Sequence, residues 1–343
     1  MLSPLFVQNE GPSRPLLALA PMQDVTDWAF LNLLQRYGGA DVYFTEFFRV
    51  TQDSRLDPEI LRSVTENPTG RPVVAQVIGS DIAALVRTAR ELQAYPVAGI
   101  DLNLGCPAPV VYRKCAGGGL LRDPARVDAI VGALRQAVTA VPFTVKTRVG
   151  FADGGEFSRI LEVLEKHRPD LVSVHGRTVA QRYRPGVRHD LIAQAVAELS
   201  CPVLANGDVH SADEAHRMWS ATGARGVMVG RGAVRNPWLF SQIRQKGRGE
   251  PVTQPTGREV LAYLEALFEA VSDVSAREVD RVHRVKKHVN FVAEGAEATG
   301  RFLHDMRRSS SRVEFFRICR EHLDHDAPMA LVPWVGRNWN PEG

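Results

Sequence analysis

The chain of 343 residues contains only four cysteines, Cys106, Cys115, Cys201 and Cys319, and their spacing matches neither a disulfide framework nor a zinc knuckle. No His or Cys stands at helical spacing from Cys106 or Cys115, so no metal site is expected, and thiols this sparse suit a reducing, cytoplasmic compartment. Long apolar runs are missing too. No stretch of 18 apolar residues is present, which argues against a membrane span. The start of the sequence lacks a basic segment followed by an apolar one, so no export signal is expected. Net charge is small, +3, and does not by itself require a nucleic-acid partner. Its distribution says more: Arg277–His288 carries five Lys/Arg against two acids, and Arg301–Arg320 six against two. Such segments suit a basic face on a nearly neutral module, or simply the solvated surface of helices.

With 44% apolar and 24% charged residues, the composition is that of a soluble globular protein. The length allows a core of about 250 residues and a smaller module. Short β-rich runs recur at Leu16–Ala20, Asp41–Thr45, Val73–Ile78, Gly99–Asn103, Phe143–Thr147, Asp170–Val174, Val203–Ala205 and Gly226–Val229. Helical patterns separate them, among them Asp27–Tyr37, Asp81–Ala94, Pro124–Val138, Phe157–Lys166, Leu191–Leu199 and Ala212–Ser220. Asp81 and Asp123 are suited to cap helices, Pro124 to a first turn, and Ser211 with Glu214 to a capping box. Eight such alternations indicate an α/β fold of the TIM (β/α)8 barrel type. The polar segment Gln245–Thr256, with two glycines and two prolines, reads as a linker between a barrel domain, 1–245, and a small C-terminal helical bundle domain, 256–343. Helical patterns in the latter lie at Glu259–Val271, Ser275–Gly295, Ala298–Met306 and Ser311–Leu323.

In such a barrel the active site lies on the rim beyond the strand C-termini. The residues placed there are Met22, Glu46, Gln76, Asn103 with Cys106, Lys146 with Arg148, and His175 with Arg177. Asn206-Gly207-Asp208 and Gly230-Arg231-Gly232 complete the set. The last two loops suit a phosphate, because glycines admit backbone amides to an anion and Arg231 adds charge. Lys146, at the end of a core strand, needs an acid or a ligand; beside a flat ring it would stabilise a reduced isoalloxazine or an oxyanion. A structural ion pair is the alternative. Gln76 suits a ring's amide-like edge. Met22 offers a soft apolar surface, or is core. Cys106, on a bend between Gly105 and Pro107, suits a proton donor in reduction of an activated double bond, its ordinary pKa being near ~8.5. A buried structural thiol is the alternative, and the other three cysteines are read as structural.

These residues resemble the motifs of one family, the flavin-dependent tRNA-dihydrouridine synthases. The resemblance runs from about Leu17 to Phe240 and more weakly to about Phe316. It is carried by Ala20-Pro21-Met22, Thr45-Glu46 and Asn103-Leu104-Gly105-Cys106-Pro107 with Val111, Lys114, Ala116-Gly117 and Leu120-Leu121. Lys146-Thr147-Arg148, His175-Gly176-Arg177-Thr178, Asn206-Gly207-Asp208, Gly230-Arg231-Gly232-Ala233 and Pro237-Trp238 continue it in order. It implies reduction of uridine in tRNA by FMN, itself reduced by NADPH, with Cys106 protonating carbon 5 of the uracil. It also implies cofactor contacts from Pro21, Met22, Gln76, Lys146, His175, Asn206, Gly207, Asp208, Gly230 and Arg231. Substrate contacts are expected at Glu46, Asn103, Arg148 and Arg177, with RNA phosphates held by Arg281, Arg284, Lys286 and Lys287. Arg307, Arg308 and Arg312 form a second candidate patch.

A monomer without an obligate protein partner is expected. Two other enzyme or binding readings use the same residues: an FMN barrel reducing a free pyrimidine or enone, and a non-catalytic RNA-binding barrel. A phosphate-binding barrel without redox chemistry is a third. Two segments fall outside the pattern, the polar Gln8–Ser13 and the aromatic, basic Trp334–Trp339.

Overall fold

A computed structural model describes residues 14–272, 277–297 and 299–333. The segments Gln8–Ser13 and Trp334–Trp339, and the helix starts expected at Ser275 and Ala298, lie outside them. The chain forms two compact units, one made of 1–23, 40–208 and 216–229, the other of 24–39, 209–215 and 230–343. The linker segment 245–256 falls inside the second unit.

The first unit is a closed barrel of eight parallel strands in sequence order. They are β1 Leu16–Leu19, β2 Val42–Arg49, β3 Val73–Ile78, β4 Gly99–Leu104, β5 Phe143–Arg148, β6 Leu171–His175, β7 Val203–Asn206 and β8 Gly226–Val229. β8 pairs with β1 from Leu16↔Gly226 to Leu19↔Val229 and closes the ring. Each expected strand is present. β2 runs further than expected, through Phe47 and Phe48, because a register shift between Phe44 and Phe47 lets both apolar stretches pair with β3.

The lower barrel interior is apolar, with Leu16, Ala18, Val42, Phe44, Val74, Leu171, Leu204 and Met228 in one cluster. Caps fix the outer helices. Asp81 accepts from Ala84 N at 2.8 Å and starts Ile82–Leu92, and Asp123 accepts from Arg126 N at 3.0 Å and starts Pro124–Ala137. Two elements without a sequence signal of their own follow β4: the turn of helix Pro109–Tyr112 and the 3-10 helix Gly117–Arg122.

The second unit is helical, containing Trp28–Gln35, Arg231–Arg235, Leu239–Gly247, Gly257–Ser272, Glu278–Ala296, Arg301–Arg308 and Arg312–Leu323. Its core contains Phe30, Tyr263, Phe268, Phe302 and Phe315, all fully buried. Tyr37 meets Trp238 and Tyr263 edge-on, at 4.9 and 5.4 Å between centroids. Buried Arg235 ties three segments together, pairing with Glu294, donating to Phe291 O at 3.1 Å and meeting His210 Nδ1 at 2.9 Å. The capping box forms as read, with Ser211 accepting from Glu214 N at 3.2 Å and Glu214 accepting from His210 N at 2.7 Å.

Candidate active site at the barrel mouth

Above the apolar layer the barrel interior turns polar, and the strand register dictates which side chains meet. Gln76 stands beside Asp101 and Asp101 beside Thr144; Asn103 stands beside Lys146 and Lys146 beside Ser173; Arg148 stands beside His175 and His175 beside Asn206. These nine residues come from five adjacent strands, and all are buried. Asp101 accepts from Thr144 Oγ1 at 2.6 Å and from Gln76 Nε2 at 2.7 Å. Asn103 donates from Nδ2 to Gln76 Oε1 at 2.8 Å, and its own carbonyl accepts from Gly105 N at 2.9 Å. The amide of Gln76, read as a ligand contact, is therefore also a link within the protein.

Lys146 has a different standing. Its ammonium makes no hydrogen bond among the described residues, although only 9% of the residue is exposed. Burial pulls its pKa down to about 8, helped by the Arg148 cation, while Asp101 and the Cys106 thiol pull it back up. Burial likewise pushes the Asp101 carboxyl up to about 6, opposed by the bonds from Thr144 and Gln76 and by Lys146. Next to Lys146, the Ser173 hydroxyl is fully buried and has no partner. A fully buried hydroxyl without a partner, beside an ammonium with no acceptor among the described residues, is expensive in isolation and normal in a ligand site.

Cys106 is half-buried just beyond β4, against Phe47, Ile78 and Val111. Burial raises its pKa, and the Ala108 N–H with the Arg148, Lys146 and Arg49 cations lowers it. Its loop has little freedom. Arg148 donates from Nε to Gly105 O at 2.9 Å and from Nη1 to Thr178 O and Arg182 O at 2.8 and 2.7 Å. Below the loop lies the glycine run. At Gly117, φ +52°, a Cβ would come within 3.0 Å of Cys106 Cβ; at Gly118 it would meet Val179 Cγ2 at 2.5 Å and Cys106 O at 2.8 Å. The glycines thus let the chain pass directly beneath the thiol's loop.

The remaining expected residues fall into two groups. Arg177 is buried and chelates Asp208 with both Nη atoms, donates from Nε to Arg184 O at 2.6 Å and lies 3.4 Å from His175 Nε2. Asp208 is thereby occupied by Arg177. Asn206 donates to Met228 O at 2.7 Å, and Gly207 has φ +140°, with Val187 Cγ1 2.8 Å from where a Cβ would stand. Pro21, Met22 and Glu46 are half-buried at the ends of β1 and in β2.

In the second unit, Gly230 precedes and Arg231 opens the short helix Arg231–Arg235. The four basic residues of Glu278–Ala296 do not act alike. Lys286 donates to Arg307 O at 3.0 Å and to Ser309 O, capping the end of Arg301–Arg308. Arg281 lies 5.1 Å from the Phe268 ring and 3.7 Å from Glu269. Arg284 is half-buried, and Lys287 is exposed, 3.5 Å from Asp24. In the second patch Arg307 donates to Asn290 at 3.0 Å and Arg312 to Glu269 at 2.6 Å.

Sequence reasoning left out Asp101, Thr144 and Ser173. The available signal was polarity inside a core strand: each is an uncharged or acidic polar residue within an otherwise apolar run, which a buried strand tolerates only with partners.

Comparison with known proteins adds a second line. A family profile described as Dihydrouridine synthase (Dus) matches residues 18–327. The chain belongs to the dihydrouridine synthase family. Among its relatives, tRNA-dihydrouridine(16) synthase of Cupriavidus necator is 36% identical over 267 residues, 75% of this chain and 83% of that one. tRNA-dihydrouridine synthase B of Pseudomonas putida is 34% identical over 321 residues, 90% of this chain and 93% of that one. Dihydrouridine synthase likeness thus extends through the helical segments as well as the barrel. Among solved structures, histamine dehydrogenase from Rhizobium sp. 4-9 superposes with a TM-score of 0.53 at 15% identity, covering 74% of this chain and 49% of that one. This likeness speaks for the fold alone. No helix among the described residues of this family member is long and apolar enough to cross a membrane.

Proposed function

We propose that the chain reduces the carbon 5–carbon 6 double bond of uridine in tRNA with FMN as cofactor and NADPH as reductant, Cys106 delivering the proton. One observation carries this reading: the half-buried Cys106 stands just beyond β4, whose Asn103 lies beside Lys146 of β5, a buried lysine whose ammonium has no acceptor among the described residues. The donors present fit a flavin. Lys146 and the orphaned Ser173 hydroxyl stand side by side at the mouth, and each lacks a partner that a polar ring edge supplies. Gln76, Asn103, His175 and Asn206 add polar groups in the same layers, Pro21 and Met22 an apolar surface, and Gly207 a backbone free of Cβ. Gly230 and Arg231 keep the role of phosphate contacts that the family resemblance gives them. FMN, when bound, supplies the hydride for carbon 6.

Everything else falls to the chain's own groups. Desolvation keeps the Cys106 proton on at neutral pH, so the thiol can act as the acid toward carbon 5. Once that proton is given, the thiolate left behind is stabilised by Lys146, Arg148 and Arg49, and solvent restores the thiol. Arg148 and Arg177 hold loops as well as offering charge to the substrate: Arg148 donates to Gly105, Thr178 and Arg182, and Arg177 to Arg184 and Asp208. Glu46 on β2 and Asn103 on β4 remain substrate contacts. Arg284 and Lys287 are the RNA-phosphate contacts, since Lys286 and Arg281 are used within the helices. Flipping a uridine from an unpaired position is cheap, a few kcal/mol.

The test is incubation with FMN, NADPH and unmodified tRNA, read by mass spectrometry. A gain of two hydrogens at a uridine supports the reading. Reduction of free uridine with none in tRNA supports a small-molecule reductase, and tRNA binding without reduction supports a non-catalytic protein.

A further inference from the structure

We propose that Asp101 is the positioning residue of this site: its carboxylate orients the amides of Gln76 and Asn103, and through them the loop bearing Cys106, and it supplies the counter-charge to Lys146. The consequence for catalysis rests on the function proposed above; the consequence for Lys146 is independent of it and rests on the pairing of β4 with β5, which puts the two buried residues on neighbouring strands. Asp101 is fully buried, so its carboxylate cannot touch a substrate, and it acts only through neighbours.

The hydrogen bonds around it form a directed chain. A carboxylate only accepts, so the Gln76 amino group must face it, at 2.7 Å. That turns the Gln76 carbonyl toward the Asn103 amino group, at 2.8 Å. Asn103 must then offer its own carbonyl outward, where the Gly105 N–H meets it at 2.9 Å. The far end has fixed polarity too, because a backbone N–H only donates. Two amides between a fixed acceptor and a fixed donor admit one orientation each. The Gly105 peptide leads directly into Cys106, and its carbonyl is held from the other side by Arg148 at 2.9 Å. On the second oxygen, Thr144 Oγ1 donates at 2.6 Å, so both lone-pair faces of the carboxylate are engaged.

A carboxylate is not needed merely to fill this space. A neutral amide could hold both neighbours, since the Thr144 hydroxyl can reverse and accept. What an amide cannot do is attract the ammonium. The charged and titratable groups around Lys146 include Asp101 on β4, Arg148 on its own strand, the Cys106 thiol and, on the paired strand β6, His175 beside Arg148. Of these, Asp101 is the acid whose negative charge opposes the Arg148 repulsion and the desolvation of the ammonium.

The chain has six lysines, few enough to follow individually. The experiment is titration of the Lys146 amine by carbon-13 NMR of reductively methylated protein, the resonance assigned with Lys146→Arg, in wild type and Asp101→Asn. Single-turnover dihydrouridine formation against pH is measured on both, with Asp101→Ala alongside. The expected result is a fall of about one pH unit or more in the Lys146 midpoint in Asp101→Asn. The alkaline limb of the activity profile should move with it, while flavin uptake and the melting temperature near neutral pH stay close to wild type. Asp101→Ala, which lets Gln76 and Asn103 turn, should lose at least about tenfold in rate at every pH. An unmoved Lys146 midpoint overturns the proposal, and so does a midpoint that moves while the activity profile does not. If wild type makes no dihydrouridine, the proposed function falls, and the NMR midpoint still decides whether Asp101 is the counter-charge.

Discussion

Arg148 donates from its Nε to the carbonyl of Gly105 at 2.9 Å, so a guanidinium at the end of β5 holds the peptide that leads into Cys106 at the end of β4. The same side chain reaches Thr178 O and Arg182 O on the loop after β6. Two loops of the mouth are therefore tied to the end of β5 by one cation that is 2% exposed.

Replacing Arg148 by alanine orphans three carbonyls, and each one left buried costs about 1–3 kcal/mol. The expected outcome is a loss of roughly 3 kcal/mol in denaturant unfolding, with dihydrouridine formation reduced more than flavin uptake. Arg148→Lys should recover little of either, because an ammonium cannot span the same three acceptors. Full recovery by lysine would show that charge alone matters there.

Cys106→Ala separates the two half-reactions. Reduction of the bound flavin by NADPH should proceed within about threefold of wild type, and product formation should fall by about 100-fold or more, the range of a general acid. Stopped-flow absorbance and product analysis on the same sample measure both. Equal loss in the two would remove the thiol from the proton-donor role.

Gly118→Ala places a methyl group 2.5 Å from Val179 Cγ2 and 2.8 Å from Cys106 O. Overpacking of this kind costs about 1–3 kcal/mol. Thermal unfolding should show the loss, and alkylation of Cys106 by iodoacetamide should change in rate because its loop must shift. Gly249→Ala, with open space around it but φ +72°, should leave Cys106 alkylation unchanged.

The barrel was legible from the strand–helix alternation because parallel strands buried on both faces read as short apolar runs, and all eight appear where those runs lie. The mouth residues were legible as polar side chains at strand ends. Their division of labour was not. Arg148 and Arg177 read as ligand contacts, and they also hold carbonyls and Asp208, partners distant in sequence. Asp101 sits inside a strand and gives no periodic signal, and its meaning comes from Gln76 and Thr144 on neighbouring strands. The grouping of Trp28–Gln35 with the C-terminal helices is likewise non-local, carried by contacts such as Tyr37 with Tyr263 and His288 Nε2 with Val25 O at 2.8 Å.

Asp101 and Lys146 set opposite pH dependences on stability. Asp101 is raised from 3.8 to about 6 in the fold, so its contribution to stability is fully present below pH 3.8 and is lost as pH rises through 6. Lys146 is lowered from 10.5 to about 8, so its contribution is present above pH 10.5 and is lost as pH falls through 8. The melting temperature of wild type minus that of Asp101→Asn should therefore be larger at pH 4 than at pH 7. A difference that grows with pH would contradict the raised carboxyl.

In the helical unit, Arg284→Glu with Lys287→Glu should weaken tRNA binding most at low salt and leave flavin uptake unchanged, because phosphate contacts release counterions. Lys286→Glu should instead lower the melting temperature, since Lys286 caps Arg301–Arg308. Gel-shift titration and calorimetry distinguish the two.

The most direct measurement is position-resolved mass spectrometry of unmodified tRNA after incubation with the protein, FMN and NADPH, comparing wild type with Lys146→Met. Wild type is expected to add two hydrogens to a uridine and Lys146→Met to lose that activity together with flavin affinity. Equal product from both proteins would contradict the site, because a buried lysine without a hydrogen-bond acceptor among the described residues would then serve no ligand.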